Sequence, residues 1–199
     1  MIYNTLESNC FDLEAAKLED TPFPHFCVDS ALSPEKIREV FDWFQDTEIW
    51  NLVETDFYEQ YEFSLLHKDL PDNIKCLISK ETLNYIKKRY VQEFKVSQLE
   101  LVDIVAHKLV NEQRIGIHND YINGEETHRL VLHINPYWQE ENGGLLILFK
   151  SSKPEDMIKI VKPVDNTVFG FEISRQSHHA VSKIFDYTRF TIVYTFKAV

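Results

Sequence analysis

The chain has 199 residues, of which 44% are hydrophobic and 27% charged, and it is rich in phenylalanine and tyrosine. This length supports one full-sized core, so we expect residues 1–199 to form a single domain. The 32 acidic and 21 basic residues give a formal net charge of -11. That sign disfavours a protein that gains affinity by neutralising phosphates, so we expect no nucleic-acid partner.

The cysteines Cys10, Cys27 and Cys76 are widely spaced and include no CxxC pair. This pattern fits neither a disulfide framework nor a thiolate zinc site, and it favours a reducing compartment. The N-terminal segment lacks a basic region followed by an apolar block, and no run approaches the roughly 18 apolar residues of a membrane span. We therefore expect a cytoplasmic protein with no membrane partner.

The first predicted elements are an apolar segment at 26–28 and a helix that follows it. Ser33 is the predicted N-cap and Pro34 the first helical residue, since both residue types favour these positions. Apolar residues then recur at spacings of three and four, which is typical of an amphipathic helix. These residues are Ile37, Val40, Phe41 and Phe44.

A second amphipathic helix is predicted at about 78–94 from the same kind of spacing. The stretch 49–71, which lies between the two helices, is the predicted lid over a binding cavity. Tyr58 and Tyr61 are the residues of this lid that we expect near a substrate.

From about residue 101 the hydrophobic period changes from about 3.6 to about 2 residues. Seven or eight short runs rich in β-branched and aromatic residues follow, separated by turn signals such as Asn142-Gly143-Gly144. Strands without helices between them indicate an antiparallel barrel or a double-sheet jelly roll. We expect a mainly β fold, with a helical part at about 1–100 packed on one sheet of a core at about 101–199.

His118 and Asp120 are separated by one residue within a strand-like pattern. Residues i and i+2 of a strand share a face, so the two side chains can point at one ion. Such a pair also occurs by chance, as a rim histidine bonded to a turn aspartate, and a third ligand is required. Either His178 or His179 would complete the two-histidine, one-carboxylate set of non-haem iron(II) oxygenases. Periodicity leaves the choice between these neighbours open.

Arg189 begins the last predicted strand, where a barrel interior is expected. A guanidinium in a mostly apolar interior requires an anion, and its planar fork suits a carboxylate. The alternative is a salt bridge to one of the many acidic residues of the chain.

The motifs HND, RLVLHINPYWQEENGGLLILF, SHHAVSKI and RFTIVYTF occur in this order within about 101–197. Together they resemble the 2-oxoglutarate- and iron(II)-dependent dioxygenases of the prolyl-hydroxylase-like branch, and PFPHFCVDSALSPEKIREVFDWF is similar to the opening region of that branch. The resemblance implies a cupin-like double-stranded β-helix, or jelly roll. It also implies His118, Asp120 and His179 as iron ligands, because His179 fits the pattern H-x-V of the branch and His178 does not.

The resemblance places Arg189 where the branch binds the far carboxylate of 2-oxoglutarate, and Thr191 at a hydroxyl position two residues later. His133 stands where some members have a tyrosine that touches the co-substrate, and we retain it as a predicted co-substrate residue. Lys108 also replaces a tyrosine of those members, and we leave it out of the site. The predicted co-substrate contacts therefore depart in part from the family pattern.

The resemblance implies an enzyme that hydroxylates an aliphatic C–H bond of a prolyl, other aminoacyl or peptide substrate. Iron(II), 2-oxoglutarate and dioxygen would be required, with ascorbate a candidate reductant, and succinate and carbon dioxide would be formed. Asp120 favours hydroxylation, since halogenating members replace this carboxylate by a small residue. The alternatives are an oxygenase of a free small metabolite and a non-catalytic metal-binding jelly-roll module. We expect a monomer or a homodimer.

Overall fold

The structure is a computed structural model that describes residues 8–56 and 58–199. The first seven residues of the N-terminal segment and Phe57 of the predicted lid lie outside this part. The described residues form two α-helices, α1 (Pro34–Asp46) and α2 (Lys80–Phe94). They also form the strands β1 (His25–Asp29), β2 (Asn51–Glu54), β3 (Glu59–Ser64), β4 (Leu99–Leu109), β5 (Ile115–His118), β6 (His128–Ile134), β7 (Leu146–Phe149), β8 (Met157–Val161), β9 (Thr167–Glu172), β10 (His179–Val181) and β11 (Arg189–Ala198).

Both predicted helices are confirmed, and each begins at a serine cap. The Ser33 hydroxyl accepts a hydrogen bond from the Lys36 amide at 3.2 Å, and the Ser79 hydroxyl accepts one from the Thr82 amide at 3.2 Å. These bonds satisfy amides that the first turn of a helix leaves without a partner. Neither α1 nor α2, nor any shorter helix in the described part, is long and apolar enough to cross a membrane.

The strands form two antiparallel sheets that face each other. One has seven strands in the order β1-β9-β6-β11-β4-β3-β2, and the other has four in the order β5-β10-β7-β8. The predicted mainly β, double-sheet jelly roll is confirmed. The part at about 1–100, predicted as helical, also contains strands, since β1 pairs with β9 and β3 pairs with β4. These early strands extend both edges of the seven-stranded sheet and satisfy backbone groups that would otherwise lack partners.

The stretch 49–71, predicted as a lid, largely forms the hairpin of β2 and β3. Asn51 pairs with Glu62, and Glu54 pairs with Glu59. The hairpin continues the seven-stranded sheet through β4, so most of this stretch is part of a wall. Sequence alternation was too weak here to predict strands, because β2 is largely exposed.

Strand β11 crosses the middle of the seven-stranded sheet and is buried on both faces. Successive side chains of a strand point to opposite faces, so β11 supplies two different environments. One face packs against the helices and holds most of the core, through Phe190, Ile192, Tyr194 and Phe196. The other face looks toward the four-stranded sheet, through Arg189, Thr191, Val193 and Thr195.

Helix α2 approaches the sheet closely at Gly170 of β9. A Cβ atom at this position would lie 2.3 Å from Cζ of Phe26 and 2.6 Å from the hydroxyl oxygen of Tyr90. The Tyr90 hydroxyl also donates a hydrogen bond to the carbonyl of Arg129 at 2.5 Å. The missing side chain of Gly170 therefore allows α2 to contact β6 and β9 directly.

We expect Gly170→Ala to lower the free energy of unfolding by about 1–3 kcal/mol, because an added methyl in a packed core displaces its neighbours. Chemical denaturation followed by circular dichroism measures this change. Cys27→Ala is the control, since Cys27 is exposed on the neighbouring strand β1, and it should change stability by less than about 0.5 kcal/mol. Equal stability of the Gly170→Ala and wild-type proteins would contradict the close approach.

Candidate metal centre and its cavity

A cavity of about 370 Å³ lies between the two sheets. Its walls include residues of β3, β4, β6, β9 and β11 on one side and of β5, β7 and β10 on the other. The residues His118, Asp120, His179, Arg189 and Thr191 all line it. Five of the six residues predicted for the site from the sequence therefore share one cavity.

The side chains of His118, Asp120 and His179 converge on one point. Their candidate ligand atoms all lie within 4.8 Å of one another. Nε2 of His118 lies 3.2 Å from Oδ1 of Asp120, and Nε2 of His179 lies 3.2 Å from Oδ2. The antiparallel register of β5 and β10 brings the histidines together, since His118 pairs directly with His179.

Asp120 reaches this point by a route that differs from the predicted one. Strand β5 ends at His118, and Asp120 follows it with a φ of 60°, in the left-handed region. The expectation that both residues lie on one regular strand is therefore wrong. The intervening Asn119 donates a side-chain hydrogen bond to the carbonyl of Arg175 at 3.2 Å, and its carbonyl accepts one from the Ser177 hydroxyl at 2.9 Å. These bonds hold the turn beside the segment that carries His179.

Backbone carbonyls orient both imidazoles. Nδ1–H of His118 donates to the carbonyl of Gly116 at 2.9 Å, and Nδ1–H of His179 donates to that of Ser177 at 2.8 Å. Each Nε2 therefore keeps its lone pair and faces the other ligands, which is the usual arrangement around metal-binding histidines. His178 is not among the residues that line the cavity.

The Asp120 carboxylate has the properties expected of a metal ligand. Its Oδ2 is buried and has no hydrogen-bond partner among residues 8–56 and 58–199. Burial alone would raise the pKa of this carboxyl, but the Arg129 guanidinium and then the two imidazoles outweigh burial and hold the pKa well below its usual range. An ionised, unshared oxygen beside two imidazole nitrogens fits the donor set that binds iron(II), so these residues fit the metal implied by the sequence.

Arg129 was missed by the sequence analysis. Its Nη1 lies 2.8 Å from Oδ1 of Asp120, and its Nη2 lies 2.7 Å from Oε2 of Glu126. This contact engages one carboxylate oxygen of Asp120 and leaves Oδ2 for a metal. Alternation along β6 could have indicated Arg129, since Leu130 and Leu132 belong to the core beneath the helices and Arg129 must face the other way.

Arg189 is buried at one end of the cavity, with 5% of its surface exposed. No carboxylate within the described part of the chain forms an ion pair with it, and its Nε has no partner there. Arg189 therefore does not form the alternative salt bridge to an acidic residue within the described part of the chain. Burial lowers the pKa of Arg189 to about 10, so the side chain is still a cation at neutral pH. An unpaired buried cation of this kind requires an anion.

His133 lies next to Arg189 and is fully buried. Its Nδ1 accepts a hydrogen bond from Nη2 of Arg189 at 3.4 Å. Burial, and then the charge of Arg189, hold the pKa of His133 well below its usual range, so it is a neutral partner. His133 is not among the cavity-lining residues, and it reaches the site through its contact with Arg189.

The Gly143-Gly144 turn packs against the side chain of Arg189. Both glycines have positive φ values, 65° and 68°, as the predicted tight turn requires. A Cβ on Gly144 would lie 3.0 Å from Cδ of Arg189 and 2.6 Å from Cδ1 of Ile184. The turn therefore leaves space for the arginine side chain, and the Trp138 indole secures it by donating to the carbonyl of Gly143 at 2.8 Å.

Lys108 and Tyr61 point away from the cavity. Nζ of Lys108 lies 4.9 Å from the ring centroid of Trp50 and 4.6 Å from that of Tyr61. The neighbour His107 lines the cavity in place of Lys108, and Tyr58 is the tyrosine of the predicted lid that does so. The omission of Lys108 from the site agrees with this arrangement, and Tyr61, the other tyrosine of the predicted lid, is not among the cavity-lining residues.

Comparison with known proteins shows which family the chain resembles. Residues 104–197 match the model of the 2OG-Fe(II) oxygenase superfamily. This matched region holds the converging triad and Arg189, and the match agrees with the resemblance expected from the motifs.

The chain is also 24% identical over 185 residues to prolyl 3-hydroxylase OGFOD1 of Mus musculus. This alignment covers 87% of the chain and 32% of that protein. The chain thus spans about a third of the length of this curated relative.

Solved prolyl hydroxylases share the fold. A Pseudomonas putida prolyl-4-hydroxylase superimposes with a TM-score of 0.70 at 14% identity, covering 88% of this chain and 92% of the other. A Trichoplax adhaerens prolyl hydroxylase in complex with a hypoxia inducible factor peptide fragment gives 0.72 at 12% identity, covering 87% and 83%. The 2OG complex of a viral collagen prolyl hydroxylase from Paramecium Bursaria Chlorella virus-1 gives 0.65 at 11% identity, covering 88% and 96%.

We expect His179→Ala to weaken the binding of manganese(II) by more than about 100-fold. Mutating a residue that only supports a metal ligand usually costs about 10- to 100-fold in affinity, and removing a ligand itself should cost more. Isothermal titration calorimetry under anaerobic conditions measures the affinity. His178→Ala is the matched control, because the same side chain is removed from the neighbouring position outside the cavity, and it should bind the metal like the wild type. Equal losses in both variants would contradict the assignment of His179.

Proposed function

We propose that this protein is an iron(II)- and 2-oxoglutarate-dependent hydroxylase of an aliphatic C–H bond in a prolyl, other aminoacyl or peptide substrate. The observation that carries the proposal is that one cavity combines three convergent ligands with a buried guanidinium that has no carboxylate partner in the described residues. A metal-binding module without turnover would need the three ligands but would have no use for a buried, uncompensated cation. The match of residues 104–197 to the oxygenase superfamily supports the same interpretation.

In this proposal His118, Asp120 and His179 would hold iron(II). Bound iron(II) supplies the redox chemistry by which dioxygen oxidises both 2-oxoglutarate, to succinate and carbon dioxide, and the substrate C–H bond. Arg189 would bind the far carboxylate of 2-oxoglutarate, and Thr191, buried two residues further along β11, would offer its hydroxyl to the same group. His133 would position Arg189 through their hydrogen bond.

The remaining wall excludes water from the reacting bond. Val131, Phe169 and Phe171 contribute apolar surface on the sheet that faces the triad. Such surface contributes dispersion contacts to a bound side chain and limits the access of solvent. Arg129 would keep Asp120 ionised and oriented, since it contacts Oδ1 and leaves Oδ2 without a hydrogen-bond partner among the described residues.

The substrate class is proposed from the relatives. The mouse relative is named as a prolyl 3-hydroxylase, and the similar structures include a prolyl hydroxylase with a bound peptide fragment. The half-buried Tyr58 and the exposed Ile122 line the cavity and offer contact surface to a peptidyl substrate. We further propose that the whole chain acts as one domain in a reducing compartment, which agrees with the free thiols of its cysteines.

Anaerobic titration with iron(II) and 2-oxoglutarate tests the proposal directly. Formation of the weak visible charge-transfer band of the chelate is expected, followed by succinate when the complex is exposed to air. Mass spectrometry of prolyl peptides and free amino acids in the same mixture would identify the product by its added oxygen atom. Binding of both ligands without any succinate would contradict the proposal and favour a non-catalytic metal-binding module.

We expect Asp120→Ala to reduce succinate formation below one hundredth of the wild-type rate, because the variant loses a ligand and the negative charge that offsets the metal. Succinate is measured after a fixed time with saturating 2-oxoglutarate. Asp186→Ala, which removes a carboxylate from an exposed position, is the control and should keep wild-type turnover. Wild-type turnover by Asp120→Ala would contradict the role of this residue.

We expect Arg189→Met to raise the dissociation constant of 2-oxoglutarate by about 30-fold or more, since loss of one partner of a buried charge pair costs at least about 2 kcal/mol. The anaerobic titration measures this constant. Lys108→Met is the control, because it removes a cation from the opposite face of β4. Similar affinities for the wild type and Arg189→Met would place the carboxylate elsewhere.

A further inference from the structure

One wall of the cavity carries hydrogen-bond acceptors that neither the triad nor Arg189 uses. Gln60 and Glu62 lie on β3 and Asp103 lies on β4, and all three line the cavity. We call these three residues the acceptor wall. All three side chains face the cavity, and Glu62 pairs with His107, four residues along β4 from Asp103.

The side-chain oxygen of Gln60 accepts no hydrogen bond from the described residues. The residue is only 4% exposed, and its Nε2 donates to Oε2 of Glu62 at 2.8 Å. This bond fixes the orientation of the amide and leaves Oε1 buried without a partner in the described chain. A buried carbonyl oxygen without a donor is unfavourable, so a ligand with an N–H or O–H group would stabilise this position.

The Glu62 carboxylate has no lysine or arginine partner among the described residues. Within the described residues its one ion-pair contact is with His107, whose Nε2 lies 3.8 Å from Oε2. Burial, and then the charges of Arg129 and Arg189, lower the pKa of His107 to about 3, so this imidazole is neutral at physiological pH. The contact therefore leaves the charge of Glu62 uncompensated.

The carboxylate of Asp103 likewise lacks a cationic partner among the described residues. Its Oδ1 accepts hydrogen bonds from the Ser64 hydroxyl at 2.6 Å and from the Ile104 amide at 2.7 Å. No lysine or arginine in the part of the chain that the structure describes forms an ion pair with it. Both bonds hold the carboxylate in place without neutralising it.

The charges around the cavity do not balance. Four carboxylates line it, against two guanidiniums, which leaves a formal excess of two negative charges. Arg129 is already shared by Asp120 and Glu126, so the excess falls on the acceptor wall. Iron(II) and the dianion of 2-oxoglutarate would cancel each other, so the loaded cavity keeps this excess.

The acceptor wall is separate from the proposed anchor of 2-oxoglutarate. Asp103 pairs with Thr195, six residues along β11 from Arg189, or roughly 20 Å at the usual rise of a strand. Glu62 pairs with His107, which pairs with Thr191, so Glu62 and Gln60 lie near the level of Arg189 but two strands away, roughly 10 Å across the sheet. A second ligand could therefore contact the acceptor wall while Arg189 holds a carboxylate.

We propose that the substrate of this enzyme carries a cationic hydrogen-bond donor, a lysyl or arginyl side chain or a free amine, that binds Glu62 and Gln60, with Asp103 further along the wall adding to the negative potential that attracts it. This inference rests on the proposed function and names the chemistry that its substrate must have. The cation offsets the negative excess of the cavity, and its N–H groups satisfy the oxygen of Gln60. The bond to be oxidised then faces His118, Asp120 and His179 from the other side of the same cavity.

Equilibrium binding of matched probes tests the inference. One set consists of six-residue prolyl peptides with blocked ends and a single lysine moved through every other position, and the second set has glutamine in place of lysine. Free lysine and arginine form a third arm, which distinguishes a peptide source of the cation from a free amine. Calorimetry is performed on the full chain with manganese(II) and 2-oxoglutarate, so that binding is measured without turnover.

The variants remove charge and keep shape. Glu62→Gln, Asp103→Asn and the double variant are compared with the wild type, and Glu100→Gln is the control because it removes one carboxylate from an exposed position of β4. We expect the best lysine peptide, or free lysine or arginine, to bind the wild type at least about tenfold more tightly than its glutamine counterpart. The preference should fall below about twofold in the double variant and persist in Glu100→Gln.

Equal binding of the cationic and neutral probes by the wild type would overturn the inference. So would a preference that survives in the double variant, or the absence of binding of every cationic probe by a protein that binds 2-oxoglutarate. Failure of the proposed function has a different signature, namely no binding of 2-oxoglutarate by the wild type. In that case the probe titrations on the protein alone still decide whether the acceptor wall binds cations.

Discussion

The pairing of β5 with β10 is the constraint on which the rest of the site depends. It sets His118 directly opposite His179, although 60 residues separate them in the chain. The left-handed turn at Asp120 then places a carboxylate between the two imidazoles. Three ligands from two distant segments can meet only if both strands belong to one sheet in this register, because a shift by one residue would reverse the direction of each side chain.

The two faces of the seven-stranded sheet have different roles, since one packs in the apolar core and the other lines the cavity. The face of β11 that carries Phe190 and Tyr194 packs on the two helices and supplies the apolar core. The opposite face carries Arg189 and Thr191 toward the cavity. Polar groups inside the jelly roll are therefore tolerated, because the free energy of folding comes largely from the other face of the same strands.

Charge is distributed along the cavity in a defined order. Arg189, buried and unpaired among the described residues, makes one end positive. Arg129, which pairs with Thr195 six residues along β11 from Arg189, ties Asp120 to Glu126, and Glu62 and Asp103 make the wall of β3 and β4 negative. A dicarboxylic co-substrate and a cationic substrate would thus be directed to different places within about 370 Å³.

Several particular features were predictable from the sequence. The caps Ser33 and Pro34 and the spacing of Ile37 and Val40 predicted α1, because helix signals are local. The period of two predicted the strands of the jelly roll, and the motifs with their resemblance predicted the family. The hairpin of β2 and β3 was not predicted, since its exposed residues alternate weakly and its stability comes from pairing with β4.

The sequence by itself determined the chemical types that the molecule has available: two histidines and an aspartate in recognisable motifs, an arginine at the start of the last strand, and a marked acidic excess. Only the tertiary structure decided which of those groups meet. It placed His179 in the cavity, as the resemblance implied but periodicity could not decide, turned Lys108 outward and His107 inward, and brought Arg129 onto Asp120. The physical reason is that side-chain direction in a sheet depends on register and on turns such as the one at Asp120, and both arise from pairing between segments far apart in the chain.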